Sequence, residues 1–123
     1  MTPAAPPPRR FPTWVYGEGE EPDPRFSLAN ERTYLVWVRT ALGLLAGGVA
    51  LEALALPLQP GLRLAASLVC LGLGALVPLL AWASWARTER AVRRGDPLPA
   101  SVLLPVLAVG VCLVAVLALL GLR

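Results

Sequence analysis

Three long apolar stretches alternate with short polar segments along the chain. The second stretch, Leu64–Ala86, and the third, Ser101–Leu122, contain no charged residue, and the first, Tyr34–Leu56, contains only Arg39 and Glu52. Each stretch provides the roughly 20 residues that a helix needs to cross about 30 Å of hydrocarbon. The pattern therefore predicts an all-α membrane protein with three transmembrane helices. We place these helices at about residues 27–56, 64–90 and 100–122, within one transmembrane domain that covers residues 26–123.

A polar, proline-rich segment precedes this domain. Residues 1–25 hold seven of the 13 prolines and an acidic cluster between residues 18 and 23. Such a composition buries too little apolar surface to offset the entropy lost on ordering, so we expect a disordered tail. The aromatic residues Phe11, Trp14 and Tyr16 leave a second reading open, in which the tail anchors at the membrane surface or binds a partner.

The residue inventory limits the chemistry that the chain can perform. Hydrophobic residues make up 56% of the sequence and charged residues 15%, and the basic residues are eleven arginines with no lysine and no histidine. The absence of histidine removes Ser-His-Asp triads and most zinc or haem sites, and the absence of lysine removes Schiff-base chemistry and the P-loop. We therefore expect no enzyme activity and no cofactor, and the lipid bilayer rather than nucleic acid as the main partner.

The arginines are distributed unequally about the spans, which predicts the orientation of the chain. Only Arg63 and Arg123 lie on one side. Basic residues near the span ends are retained in the cytoplasm. We therefore expect a cytoplasmic amino terminus and a cytoplasmic loop at residues 87–100, with the carboxyl terminus outside. The seven arginines on the cytoplasmic side are Arg25, Arg32, Arg39, Arg87, Arg90, Arg93 and Arg94.

The first helix carries a polar face that is unusual for a plain membrane anchor. Arg32 and Arg39 are seven residues apart and share one helix face, which continues into Gly43 and Gly47, a G-x-x-x-G pair that allows close helix packing. This face is expected to point into protein, which predicts a homo-oligomer. Three roles stay open for Arg39: reaching the lipid phosphate groups, pairing with an acid of a neighbouring helix, or lining an anion path. The first role is favoured for the shallower Arg32.

Two further groups of charged residues have alternative readings. Glu52 is expected to pair with Arg63 across the turn between the first two helices, although an outer gate or cation site is also possible for this pair. The run from Arg87 to Arg94, with Arg90, Arg93 and Arg94 as its candidate anion-binding residues, is expected to anchor the loop at anionic lipid, where each basic residue contributes about 1 kcal/mol. The alternative is that they hold a phosphate-rich partner.

The segment Ala29–Thr40, which begins with A-N-E-R-T, resembles the signature of the bacterial YidH-like family, known as domain of unknown function 202. Gly47–Ala50 and Arg90–Gly95 also resemble this family, and the match extends from about residue 25 to the end. Members are small three-helix proteins of the bacterial inner membrane. The resemblance extends to the membrane domain of the fungal vacuolar transporter chaperone complex, whose helices form an oligomeric pore associated with polyphosphate translocation.

This resemblance implies that Arg32 and the loop arginines handle a polyanion and that Glu31 is the salt-bridge partner of Arg32. Glu31 is also placed to reach an arginine of a neighbouring subunit. The chain has no polymerase or phosphate-sensing domain, and a role for Arg39 rests on its geometry alone. Two functions follow as expectations: an oligomeric pore or channel that handles phosphate or polyphosphate, and alternatively a structural or accessory subunit that docks a partner protein.

Overall fold

A computed structural model describes residues 10–122 of the chain, and within this range the regular structure is entirely helical. Three of the helices are long and apolar enough to cross a membrane, which confirms the predicted class. The elements are a short helix α1 (Thr13–Tyr16) and the long helices α2 (Pro24–Ala53), α3 (Pro60–Arg94) and α4 (Leu103–Gly121).

Local capping residues set bounds for the helices that differ from the expected ones. Helix α2 begins at Pro24 rather than near residue 27, because the Asp23 side chain accepts a hydrogen bond from the Arg25 amide and Pro24 is favoured in the first turn. Helix α3 continues to Arg94 and ends where Gly95 adopts a left-handed conformation with a φ of 73°. These signals lie outside the apolar stretches, so hydrophobicity alone did not locate them.

Helices α2 and α3 are longer than the hydrocarbon core. Their 30 and 35 residues span roughly 45 and 52 Å, against about 30 Å of hydrocarbon. Because the apolar stretches occupy the opposite ends of these antiparallel helices, the surplus turns at residues 24–33 and 87–94 project from the same side of the domain. We call this side the arginine-rich end.

Helix α3 lies between the other two long helices. In the part of the chain that the structure describes, α2 and α4 each pack against α3 and not against each other. The buried core at the arginine-rich half of the domain consists of Ala41, Val77, Ala81 and Leu103. Helix α3 is therefore the central packing element, and the surfaces of α2 and α4 that face away from it are available to lipid or to another chain.

Small residues hold the helices together in the middle of the domain. Gly48 of α2 lies against Ser67 of α3, and the Ser67 hydroxyl donates a 2.6 Å hydrogen bond to the Gly48 carbonyl. Gly74 of α3 lies against Leu45, and Gly110 of α4 lies against Leu73. Close packing through glycine and interhelical hydrogen bonds are the main attractive forces between helices in lipid, where burial from water contributes nothing.

The predicted disordered tail differs from what the structure shows for residues 10–23, which we call the N-terminal segment. This segment folds back on the end of α3, where Val15 is completely buried and the Trp14 ring meets the Trp82 ring edge to face at 6.2 Å. The reason is charge complementarity, since the acidic residues of the segment meet the arginines of α3. The remaining part of the predicted tail, residues 1–9, lies outside the described residues.

Candidate functional site

Arg93 is the centre of the contact between the N-terminal segment and α3. Its side chain is only 4% exposed. The guanidinium donates hydrogen bonds to the carbonyl oxygens of Tyr16 and Glu18, at 2.8 and 3.0 Å, and to Glu21 Oε2 at 2.8 Å. The segment also approaches the backbone of α3, because the Glu20 amide donates to the Arg93 carbonyl. Gly19, with a φ of 57°, permits this approach, since a Cβ there would lie 2.0 Å from the Arg93 oxygen.

Two neighbouring arginines of α3, Arg90 and Arg94, are also paired within the chain. Glu18 accepts from Arg90 Nη2 at 3.1 Å and lies 3.3 Å from Arg94 Nε, and Arg94 is 4.0 Å from Asp96. Sequence analysis assigned Arg90, Arg93 and Arg94 to lipid phosphate or a polyanion. The structure instead satisfies them with carboxylates of their own chain, because the acidic segment folds back onto them.

The same contact changes the ionisation of Glu21. Hydrogen bonds from Arg10, and after it from Arg93, hold the pKa of this carboxyl below its ordinary range. The Arg10 guanidinium also lies over the Tyr16 ring, 4.4 Å from its centroid. The N-terminal segment is therefore attached through ionised carboxylates and an aromatic ring rather than through apolar burial alone.

The predicted polar face of α2 has no partner in the part of the chain that the structure describes. Glu31, Arg32 and Arg39 are exposed, and no ion pair joins any of them to another residue within 10–122. The pairing of Glu31 with Arg32 that the resemblance implied does not form, because adjacent residues on a helix point about 100° apart. Gly43 and Gly47 would have nothing within 4 Å of an added Cβ. This face therefore points away from the other helices of the domain.

The pair expected at the opposite end is present. Arg63 Nε lies 3.5 Å from Glu52 Oε1, and Arg63 Nη1 donates a 3.0 Å hydrogen bond to the Leu56 carbonyl. Arg63 therefore connects the end of α2 to the start of α3. This geometry favours a structural role for the pair over a gate.

Glu89 is a buried acid that sequence analysis did not single out. It is 2% exposed, and its two carboxylate oxygens accept from Ser27 Oγ at 2.6 Å and from Asn30 Nδ2 at 3.2 Å. Asn30 also donates to the Trp85 carbonyl at 3.0 Å. The available signal was the position of Asn30 within the A-N-E-R-T segment, because an amide at this depth requires buried partners.

Two of the cavities at the arginine-rich end lie against α2. The larger, of about 600 Å³, lies beneath the N-terminal segment and is lined by Glu89 and Glu31 together with aromatic rings. The smaller, of about 400 Å³, lies between α2, α3 and the α3–α4 connection, and no charged residue lines it. Of these two cavities, only the larger has charged side chains on its walls within residues 10–122.

Comparison with known proteins identifies the family. The family model described as domain of unknown function DUF202 matches residues 25–91, more than half of the chain. The chain belongs to this YidH-like family. The matched region contains α2 and most of α3, including Asn30 and Glu89, and excludes the N-terminal segment and α4.

Relatives of similar length support this assignment. The chain is 46% identical over 101 residues to the inner membrane protein YidH of Escherichia coli K12, covering 80% of this chain and 87% of the relative. It is 49% identical over 100 residues to an uncharacterized protein of Mycobacterium tuberculosis H37Rv, covering 80% and 82% of the two chains. No solved structure matches the chain. Together with the three spans, these relatives show a small multi-pass protein of the bacterial inner membrane.

Proposed function

We propose that this inner-membrane protein is a non-enzymatic, oligomeric module that binds phosphate-bearing anions and conducts them between its copies. The observation that carries the proposal is the exposed face of α2, where Arg32 and Arg39 have no partner among residues 10–122 and continue into the open glycines Gly43 and Gly47. A second copy of the chain packed on this face gives the arginines a protein environment.

The energetic argument concerns Arg39, which lies inside the first apolar stretch. An arginine at the centre of a span costs about 2.5–3.5 kcal/mol on insertion scales, and less near the end. In a ring of subunits these side chains face a shared polar path instead of lipid, and a ring of arginines concentrates anions at the mouth of a pore. The glycines beneath them allow the helices to approach closely enough to close the ring.

The choice of phosphate or polyphosphate rests on the resemblance to the membrane domain of the vacuolar transporter chaperone complex. The resemblance implies anion handling by Arg32, which forms no ion pair within residues 10–122. Arg90, Arg93 and Arg94 of α3 are excluded from this role as long as Glu18 and Glu21 occupy them. We therefore place the anion contacts on Arg32 and Arg39 of α2 rather than on these three arginines.

The first test is the number of copies in lipid nanodiscs, measured by native mass spectrometry. We expect the wild type to form one closed ring of about four or more chains. Gly47→Leu is expected to disrupt it, because the leucine fills the face on which the copies pack. Gly72→Leu is the matched control, since Gly72 is equally open but lies on α3.

The second test is phosphate and polyphosphate flux through proteoliposomes. Arg39→Gln is expected to reduce the flux while leaving the ring assembled. Monomers or irregular mixtures in nanodiscs would overturn the self-contained pore. A stable complex with a different chain, insensitive to Arg39→Gln, would favour the second candidate, an accessory subunit that docks a partner on the same open α2 face.

A further inference from the structure

The larger cavity at the arginine-rich end is a half-open cleft formed by three parts of the molecule. The N-terminal segment covers it, the first turns of α2 form one wall, and the last turns of α3 form the other. Its volume of about 600 Å³ is within the range of small-molecule sites. It is separate from the proposed anion face, because neither Arg32 nor Arg39 lines it.

The charge on the cavity walls is negative. Glu21, Glu31 and Glu89 line it, and Arg10 is the single basic residue among the lining side chains that the structure describes. Arg10 is already paired with Glu21. The cavity therefore has two carboxylates, Glu31 and Glu89, without a cationic partner on its walls.

Glu89 has the strongest need for a cation. It is 2% exposed, its hydrogen-bond donors Ser27 and Asn30 are both neutral, and no arginine within residues 10–122 forms an ion pair with it. An ionised carboxylate has about four acceptor positions, so two hydrogen bonds leave acceptor capacity unused. A buried carboxylate without an opposite charge is costly, and a bound cation removes this cost.

Aromatic rings supply the remaining walls. Trp82 and Trp85 lie 6.4 Å apart between centroids, Tyr16 lies 6.1 Å from Trp85, and Tyr34 also lines the space. The Tyr16 ring already accepts the guanidinium groups of Arg10 and Arg93, at 4.4 and 5.4 Å. Aromatic ring faces attract cations, and organic ammonium groups are recognised in this way in particular. Tryptophan gives the strongest interaction of this kind.

We propose that this cavity binds an organic ammonium cation, with the Glu89 carboxylate as its counter-ion and the rings of Trp82 and Trp85 against its alkyl groups. An anion is disfavoured by Glu31 and Glu89. A hard metal ion is disfavoured because calcium requires six to eight oxygen ligands, and much of this wall is aromatic. The ammonium group belongs either to a soluble amine or to the headgroup of a lipid, and the experiment separates these sources.

The experiment measures choline binding by isothermal titration calorimetry to the full chain in nanodiscs of phosphatidylglycerol. Dimethylbutanol, the uncharged carbon isostere of choline, is titrated in parallel. We expect saturable choline binding, weaker or absent binding of the isostere, and about tenfold weaker choline binding in Glu89→Gln. Glu20→Gln is the matched control, because Glu20 is an exposed carboxylate of the N-terminal segment that does not line the cavity.

A second variant keeps the test decisive if Glu89→Gln does not fold. Trp82→Leu removes an aromatic face at a ring that is 41% exposed, so the fold is expected to persist while choline affinity falls. Circular dichroism checks the helical content of both variants. Equal affinity for choline and its isostere, or unchanged choline affinity in whichever variants fold, would overturn the proposal.

The lipid source is tested with nanodiscs that contain phosphatidylethanolamine. If the headgroup is the occupant, the apparent choline affinity falls in these discs. Native mass spectrometry then detects phosphatidylethanolamine retained by the wild type and not by Glu89→Gln. If choline binds equally in both lipids, the site takes a soluble ammonium compound. Absence of both choline binding and specific lipid retention would refute the site altogether. None of these readouts depends on anion flux or on the number of copies.

Discussion

The packing of α2 on α3 through Gly74 gives a prediction with a built-in control. A Cβ added at Gly74 would lie 2.6 Å from Leu45 Cγ and 3.1 Å from the Ala41 carbonyl oxygen. Carbon atoms normally pack at about 3.5–4.0 Å. Gly74→Ala therefore forces Leu45 to move or the two helices to separate by about 1 Å. A Cβ at Gly72, two residues earlier on the same helix, would have no atom within 4 Å.

The expected magnitude follows from comparing the two variants. Each substitution exchanges glycine for alanine within one helix, a change that favours the helix by up to about 1 kcal/mol in water. This gain is common to both variants and cancels in their difference, whatever its value in a bilayer. What remains is the overpacking at Gly74, typically about 1–3 kcal/mol. We therefore expect Gly74→Ala to be less stable than Gly72→Ala by that amount.

The assay is reversible unfolding in mixed micelles of dodecylmaltoside and sodium dodecyl sulfate, followed by far-ultraviolet circular dichroism. Gly74→Ala is expected to unfold at a lower fraction of sodium dodecyl sulfate than Gly72→Ala, with the wild type as the common reference. Coincident unfolding curves for the two variants would refute the reasoning, because they would mean that Leu45 and Ala41 do not constrain this position.

Two further predictions concern the N-terminal segment. Arg93→Gln removes a guanidinium that donates to two carbonyls and one carboxylate, so amide hydrogen exchange in residues 10–23 is expected to accelerate at least about tenfold, whereas the exposed Arg87→Gln leaves it unchanged. Equal exchange in the two variants would contradict the docking. Because arginines lower the pKa of Glu21 from its ordinary 4.5, its contribution to docking is complete above pH 4.5 and is lost as pH falls through the lowered value. If the amide protons of residues 10–23 stay protected from exchange when the pH is lowered further, Glu21 makes no such contribution to docking.

The number and position of the membrane helices were predictable because an apolar stretch of this length has few alternatives in a bilayer. Backbone polar groups must be satisfied within the helix, so about 20 apolar residues predict a span whatever the rest of the molecule does. The exact helix ends were not predictable from the same signal. Asp23 and Gly95 set them through capping, and both lie outside the apolar stretches.

The roles of the arginines were not predictable, although every arginine was visible in the sequence. Arg93 is buried and donates three hydrogen bonds, while Arg39 is exposed, and no local pattern distinguishes them. The difference arises because the N-terminal segment folds back onto α3 and not onto α2. The composition of this segment predicts disorder because the segment contains few apolar residues. Composition alone does not take account of the α3 arginines that pair with its acidic residues.

The glycines that the sequence pattern singles out also differ from those that the structure uses for packing. The spacing of Gly43 and Gly47 predicts a packing face, yet the contacts within the chain use Gly48, Gly74 and Gly110. By itself the sequence determined the fold class, the three spans and the family signature, because hydrophobicity and motifs are properties of the chain read in order. The tertiary structure decided which arginines are neutralised, which glycines are covered and that Glu89 is buried beside aromatic rings. Those outcomes depend on helix register and on contacts between residues more than 50 positions apart in the chain.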